Sequence, residues 1–244
     1  MISRTGIMQE ARWEAPRVAR RTLVPVTVLE LFDAQVTAAP DAVAVVHDGR
    51  QVTYGELDQR VNRLARGLIR LGVEPDTHVV LMMGLSLDLI VAIYAVAKAG
   101  GAVLPIDPEQ PADRVAAMVA AVDPICILTA SRRGTAPEYA IAIDAVRRPA
   151  DHSPIRPAER AKPIRLGDPA YTIFTKDQSG HPVASTVSHG TIADRLDWLM
   201  VEFGLRNGNT ALSSTDSPIL CPAWDLCSPL LVGGTVVVPD AKRY

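Results

Sequence analysis

The chain has 244 residues, 48% hydrophobic and 21% charged, enough to bury a core as one large or two small domains. Its 25 basic and 27 acidic residues leave a net charge of −2, which argues against nucleic acid or an anionic membrane surface as a partner. Three cysteines (Cys126, Cys221 and Cys227) form no C-x-x-C pair, and five histidines (His47, His78, His152, His181 and His189) lack metal-ligand spacing. Reduced thiols, no metal site and solvated or hydrogen-bonded structural histidines follow.

In chain order, residues 1–22 are rich in arginine but carry no apolar h-region, so they read as a leader or linker and not as a secretory signal. The remainder, 23–244, reads as one domain. Thr27 and Glu30 have capping-box spacing for a helix through Leu31, Phe32 and Val36. Ala42 to Val46 and Gln51 to Thr53 flank His47-Asp48-Gly49-Arg50, an Asp-Gly hairpin signal. Thr53 and Glu56 repeat the capping box. The helix they open carries Leu57, Val61, Leu64, Leu68 and Leu71 on one stripe and stops at Gly72.

Val79 to Met83 is an apolar strand, and Leu85 to Ala99 a helix apolar on most sides, predicted to be buried. That helix is too short to cross a membrane and contains Asp88; no apolar run reaches the roughly 18 to 20 residues a transmembrane helix needs. A cytoplasmic location with no membrane partner is expected. Gly100-Gly101 stops the helix, Ala102 to Ile106 is a strand, Pro111 opens a helix to Val122, and Ile125 to Thr129 is the next strand. Arg147 to Pro163, rich in Pro and Arg, reads as an exposed internal loop or subdomain boundary. A strand over Ala170 to Phe174, a helix from His189 to Phe203, a strand over Thr210 to Ser213, a helical Ala223 to Leu231 and a buried strand over Thr235 to Val238 complete the pattern. Continuous apolar strands alternating with helices predict an α/β fold with a mostly parallel sheet flanked by helices.

Chemistry concentrates after Ala170. The strand runs into the polar turn Thr175-Lys176-Asp177-Gln178-Ser179-Gly180-His181-Pro182, and a short strand then leads to Ser188, a helix cap. A small-residue turn set between strand and helix is an arrangement in which backbone N–H groups cradle phosphates. The stretch resembles the phosphate loop of AMP-forming adenylating enzymes, Tyr-Thr-Ser-Gly-Ser-Thr-Gly-x-Pro-Lys-Gly. Thr175, Ser179, Gly180 and Pro182 fit that pattern; Lys176, Asp177, Gln178, Val183 and Ala184 depart from it.

Further segments carry the same resemblance. Val52-Thr53-Tyr54-Gly55-Glu56-Leu57 is similar to the Leu-Thr-Tyr-x-Glu-Leu motif of adenylation domains. Ala97 to Pro108 resembles their Leu-Lys-Ala-Gly-x-Ala-Tyr-Val-Pro-Ile-Asp-Pro segment, and Pro111 to Val115 their Pro-x-Glu-Arg-Ile. Pro229-Leu230-Leu231-Val232-Gly233-Gly234 resembles Pro-Leu-Leu-x-Gly-Gly. The Ile106-Asp107-Pro108 version and Arg195-Leu196-Asp197-Trp198 favour the amino-acid-activating domains of nonribosomal peptide synthetases over acyl-CoA synthetases. These motifs are read as keeping the fold, with no part in the chemistry.

The resemblance implies the N-terminal part of an adenylating enzyme's large domain, with ATP and Mg as cofactors and with other synthetase domains or a carrier protein as partners. It also implies losses. Asp177 stands at a small Gly position beside the triphosphate, and Val183 replaces the family lysine. In the amino-acid pocket, the family's Phe-Asp-x-Ser-x-x-Glu falls on Ile219 to Asp225, so Leu220 replaces the ammonium-binding Asp and Trp224 is a pocket remnant. The family's later motifs, including its catalytic Lys, do not occur before Tyr244, so a truncated domain is expected. Three readings stay open: an inactive, degenerate adenylation domain; an interaction module; or one half of a split amino-acid- or aryl-acid-adenylating ligase. A partner chain cannot restore Val183 or Asp177, which weighs against the third. Self-association is expected through an uncovered edge at Thr235 to Val238 and the helix around Leu226 to Leu231.

Overall fold

The computed structural model describes residues 26–130, 140–147, 151–176, 182–202, 210–212 and 227–238. Helix α1 (Val28–Ala38) begins with the Thr27/Glu30 capping box, closed in both directions. Strands β1 (Val43–His47) and β2 (Arg50–Thr53) pair antiparallel. Asp48 and Gly49 between them have φ of 50° and 70°, the two successive left-handed residues that a tight hairpin turn needs. The second capping box, Thr53/Glu56, opens α2 (Tyr54–Arg70).

Leu57, Val61, Leu64 and Leu68 of α2 are fully buried, whereas Leu71, expected on the same stripe, is 43% exposed. The cause is the helix stop. Gly72 (φ 95°) turns the chain, its N–H bonding to the Ile69 carbonyl and that of Val73 to the Leu68 carbonyl, so Val73 takes the place in the core.

Strand β3 (His78–Met82) is followed by α3 (Leu87–Ala99), buried at every position from Leu89 to Ala99 as its all-round apolar character predicts. Then come β4 (Ala102–Ile106), α4 (Ala112–Val122), β5 (Cys126–Thr129), β6 (Ile141–Ala142), α5 (Ile143–Val146), β7 (Pro169–Lys176), β8 (Pro182–Ser188), α6 (His189–Glu202), β9 (Thr210–Leu212) and β10 (Thr235–Val238). The strands form two sheets, ordered β2-β1-β10-β9 and β6-β5-β3-β4-β7-β8. All recorded pairings are parallel except β1–β2 and β7–β8.

Helices α2 and α3 share one core with residues from both sheets, among them Val45 and Val236 of one and Val79 and Leu128 of the other. On the opposite face of the larger sheet, Val80, Met82, Leu104 and Ile127 pack with Val115 and Met118 of α4. Alternate residues of β3 thus enter two cores, which explains why its sequence is a continuous apolar run.

One expectation is overturned and two gain detail. Thr235 to Val238 is not an edge: β10 lies between β1 and β9, parallel to both. Of the segment expected to be helical, Ala223 to Leu226 lies outside the described residues, and Ser228–Val232 is a 3-10 helix with Leu230 and Leu231 buried. It is held under the core by the Tyr54 hydroxyl, which faces the carbonyls of Leu230 (3.2 Å) and Gly234 (2.7 Å), and by the Tyr94 hydroxyl on the Cys227 carbonyl (3.0 Å). Finally, the loop segment 151–163 is exposed along most of its length but anchored, with Ile155 buried and a 3-10 turn at Pro157–Glu159. Its anchor is Arg66 of α2, whose guanidinium donates to both Glu159 carboxylate oxygens (2.8 and 3.2 Å) and to the carbonyls of Asp151, Ser153 and Pro154.

Candidate functional site

The phosphate-loop sequence sits at the tip of the β7–β8 hairpin. Thr175 is on β7 opposite Val183, and Pro182 is the first residue of β8, opposite Lys176. Ser179 and Gly180, with Asp177, Gln178 and His181, lie outside the described residues, as do Leu220 and Trp224 of the expected substrate pocket. The structure therefore brings Thr175 and Pro182 together at the hairpin tip.

Register carries one consequence for charge. Rungs of an antiparallel ladder alternate faces. The Thr175–Val183 rung and the Lys176–Pro182 rung are adjacent. Lys176 thus occupies a register position of opposite parity to Val183 and does not replace a lysine at position 183.

The strand expected between the turn and Ser188 sets the following helix apart from the loop. Ser188 caps α6 as expected, its hydroxyl accepting from the Thr191 N–H at 3.2 Å. Between Pro182 and Ser188, however, β8 is extended. At about 3.3 Å per residue this places the helix N-terminus about 20 Å from the loop. At that distance the α6 dipole does not act at the hairpin tip.

His189, the first residue of α6, departs from its expected role as a solvated or hydrogen-bonded residue. It is 0% exposed, and among the described residues neither ring nitrogen has a hydrogen-bond partner. Burial pushes its pKa down to about 4, against a smaller upward effect of the Asp168 carboxylate. The imidazole is therefore neutral at pH 7. No periodicity or spacing in the sequence marks this burial, because the residue sits where β8 gives way to α6.

Elsewhere the family-like motifs do structural work. Tyr54 supports the 3-10 helix, and Gly100 (φ 106°) ends α3 against Pro75. Lys98 is buried in an ion pair with Asp58. Among the described residues no helix is long and apolar enough to cross a membrane.

A profile described as "AMP-binding enzyme" matches residues 32–244. Tyrocidine synthase 3 of Brevibacillus parabrevis is 32% identical over 218 residues, which is 89% of this chain and 3% of that protein. Among solved structures, the AMPPNP-bound form of the nonribosomal peptide synthetase FmoA3 superposes with a TM-score of 0.78 at 30% identity, covering 90% of this chain and 23% of that one. The N-terminal subdomain of Klebsiella oxytoca NpsA, in complex with 3-hydroxybenzoyl-AMSN, gives 0.76 at 20% identity, covering 89% of this chain and 55% of that one, which bears on the fold alone. The chain spans less than two thirds of each of these relatives, from 3% of tyrocidine synthase 3 to 55% of the NpsA subdomain. With its two sheets, its hairpin loop and a family match over most of its length, the chain belongs to the AMP-binding enzyme family.

Proposed function

We propose that this chain keeps the scaffold of an amino-acid-adenylating domain without its chemistry, and does not by itself activate a carboxylic acid with ATP. The observation that carries this reading is the register of the hairpin, in which Val183 faces Thr175 and Lys176 lies on the alternate rung. Adenylation brings a carboxylate to the α-phosphate and expels pyrophosphate, so it depends on positive charge and donors aimed at developing negative charge. Val183 contributes neither. Asp177 adds a carboxylate beside the loop; two like charges ~4 Å apart repel by about 4 kcal/mol at an effective dielectric of ~20. The Mg-bound ATP expected from the family therefore does not fit the charges of this hairpin. Leu220 leaves a substrate ammonium without a counter-charge, a loss that weighs on amino acids more than on aryl or hydroxy acids.

A role as an interaction module for other synthetase domains or a carrier protein is the second reading. It is favoured by the intact scaffold and by relatives in which the matched region is a small part of a multidomain synthetase. The test of the first reading is pyrophosphate exchange with a panel of amino, hydroxy and aryl acids, with ATP affinity measured calorimetrically. No exchange, and a dissociation constant no tighter than millimolar, is expected. Robust exchange with any acid overturns it.

A further inference from the structure

The larger sheet ends in β8, and this strand differs from the other described ends. Edge strand β6 has two residues, and β2 has four and begins with Arg50. Strand β8 has seven, Pro182-Val183-Ala184-Ser185-Thr186-Val187-Ser188, and none is charged. It pairs with β7 on one side, and no described strand pairs with the other. Ala184 and Thr186 are exposed, and Ser185 and Val187 are half-buried. Proteins normally blunt such an edge with a lysine, a bulge or a proline. Here Pro182 protects the first position, and the following residues have no such device.

The sequence of the strand indicates what can pair with it. Val183-Ala184-Ser185-Thr186-Val187 is nearly palindromic in character, with valines at the ends, small residues inside and serine at the centre. Antiparallel pairing of β8 with a second β8 about a two-fold axis through Ser185 sets Val183 opposite Val187 and Ala184 opposite Thr186. The valine rungs share the parity of Ser185, and the small exposed residues meet on the other face. A two-fold interface requires this reciprocity, in which residue i meets j and j meets i. No like charges are brought together on facing rungs.

We propose that the chain self-associates through β8, two copies joining their larger sheets edge to edge. The inference rests on the fold and is independent of whether the chain adenylates anything. The two-residue β6 at the other end of the sheet offers little to extend, so assembly closes at the dimer. A contact this small lies at the low end of specific interfaces, and dissociation on the order of tens of micromolar is expected.

Light scattering coupled to size-exclusion chromatography, from low to several hundred micromolar chain, tests it. The wild-type chain should pass from monomer to dimer. Ala184→Lys with Thr186→Lys places like charges on facing rungs and should raise the dissociation constant at least tenfold. Ala184→Lys with Thr186→Glu places opposite charges on the same rungs and should keep the dimer. Both pairs alter exposed side chains, and circular dichroism checks that each variant folds. Ala117→Lys, on the exposed side of α4, should change nothing. A wild-type monomer at all concentrations overturns the proposal, as does a dimer indifferent to the two lysines or equally broken by both double variants.

Discussion

The Lys98 ammonium of α3 lies 2.7 Å from the Asp58 carboxylate of α2, and Lys98 is 3% exposed. Asn62 completes the group, accepting from Lys98 at 3.1 Å and donating to Asp58 at 2.8 Å, while the half-exposed Asp33 of α1 approaches Lys98 at 2.9 Å. One buried charge thus ties together three helices that enclose the shared core. Removing Asp58 leaves the buried ammonium with only the half-exposed Asp33 as counter-charge. Asp58→Ala should therefore cost about 3 to 5 kcal/mol, whereas Lys98→Met combined with Asp58→Leu should recover most of it. Urea unfolding of the three chains checks this, and a single-variant loss below about 0.5 kcal/mol, the range of ordinary surface changes, would show that the pair is dispensable.

Arg66 makes a comparable link between α2 and the segment after α5. Its pairing with Glu159 holds that carboxyl below the usual carboxylate range. Arg66→Met strips donors from three backbone carbonyls and frees the segment. The expected cost is about 1 to 3 kcal/mol, with limited proteolysis shifting to residues 151–163. Unchanged proteolysis there would mean that the buried Ile155 and the remaining hydrogen bonds, Asn62 to the His152 carbonyl and Arg160 to the Lys98 carbonyl, suffice to anchor the segment.

His189 makes stability depend on pH. Its pKa in the folded chain is about 4, below the ordinary 6.5, chiefly because the ring is desolvated. The unfolded chain therefore binds more protons between these values. The contribution is fully present above pH 6.5 and is lost as pH falls through about 4, an effect of up to about 3 kcal/mol. His189→Leu should flatten the stability profile between pH 6.5 and 4. An unchanged slope in that window would assign the acid sensitivity to other groups.

Local signals were legible in the sequence where their physics is local. Both capping boxes were predicted from Thr-x-x-Glu spacing, and the hairpin turn from Asp48-Gly49, because the groups concerned lie within a few residues of each other. Burial of α3 followed from apolar residues on every side. Long-range pairing left no such mark. Nothing near Val236 indicates Val45 as its neighbour, so β10 read as an edge although it is interior. Nor does the sequence mark the role of Arg66, since its acceptors are three backbone carbonyls, which carry no signature, and the sequence-distant Glu159. At the candidate site, the strand between the turn and the Ser188 cap was legible in the same way as the capping boxes, because both are local signals.

The last prediction concerns the hairpin tip. If nucleotide binding is weak because of the residues there, reinstating the family pattern should strengthen it without altering the scaffold. The variant combining Lys176→Ser, Asp177→Gly, Gln178→Ser, Val183→Lys and Ala184→Gly removes a carboxylate and puts a cation on the rung of Thr175. Relief of a repulsion of the size estimated above corresponds to more than tenfold in affinity even when solvent screens most of it. ATP titration should therefore show at least a tenfold gain, and Asp177→Gly alone should supply part of it. The gain should shrink as salt is raised, since its origin is electrostatic. Equal affinities for the variant and the wild-type chain would show that the loop residues are not what weakens ATP binding, and would place the cause outside the hairpin.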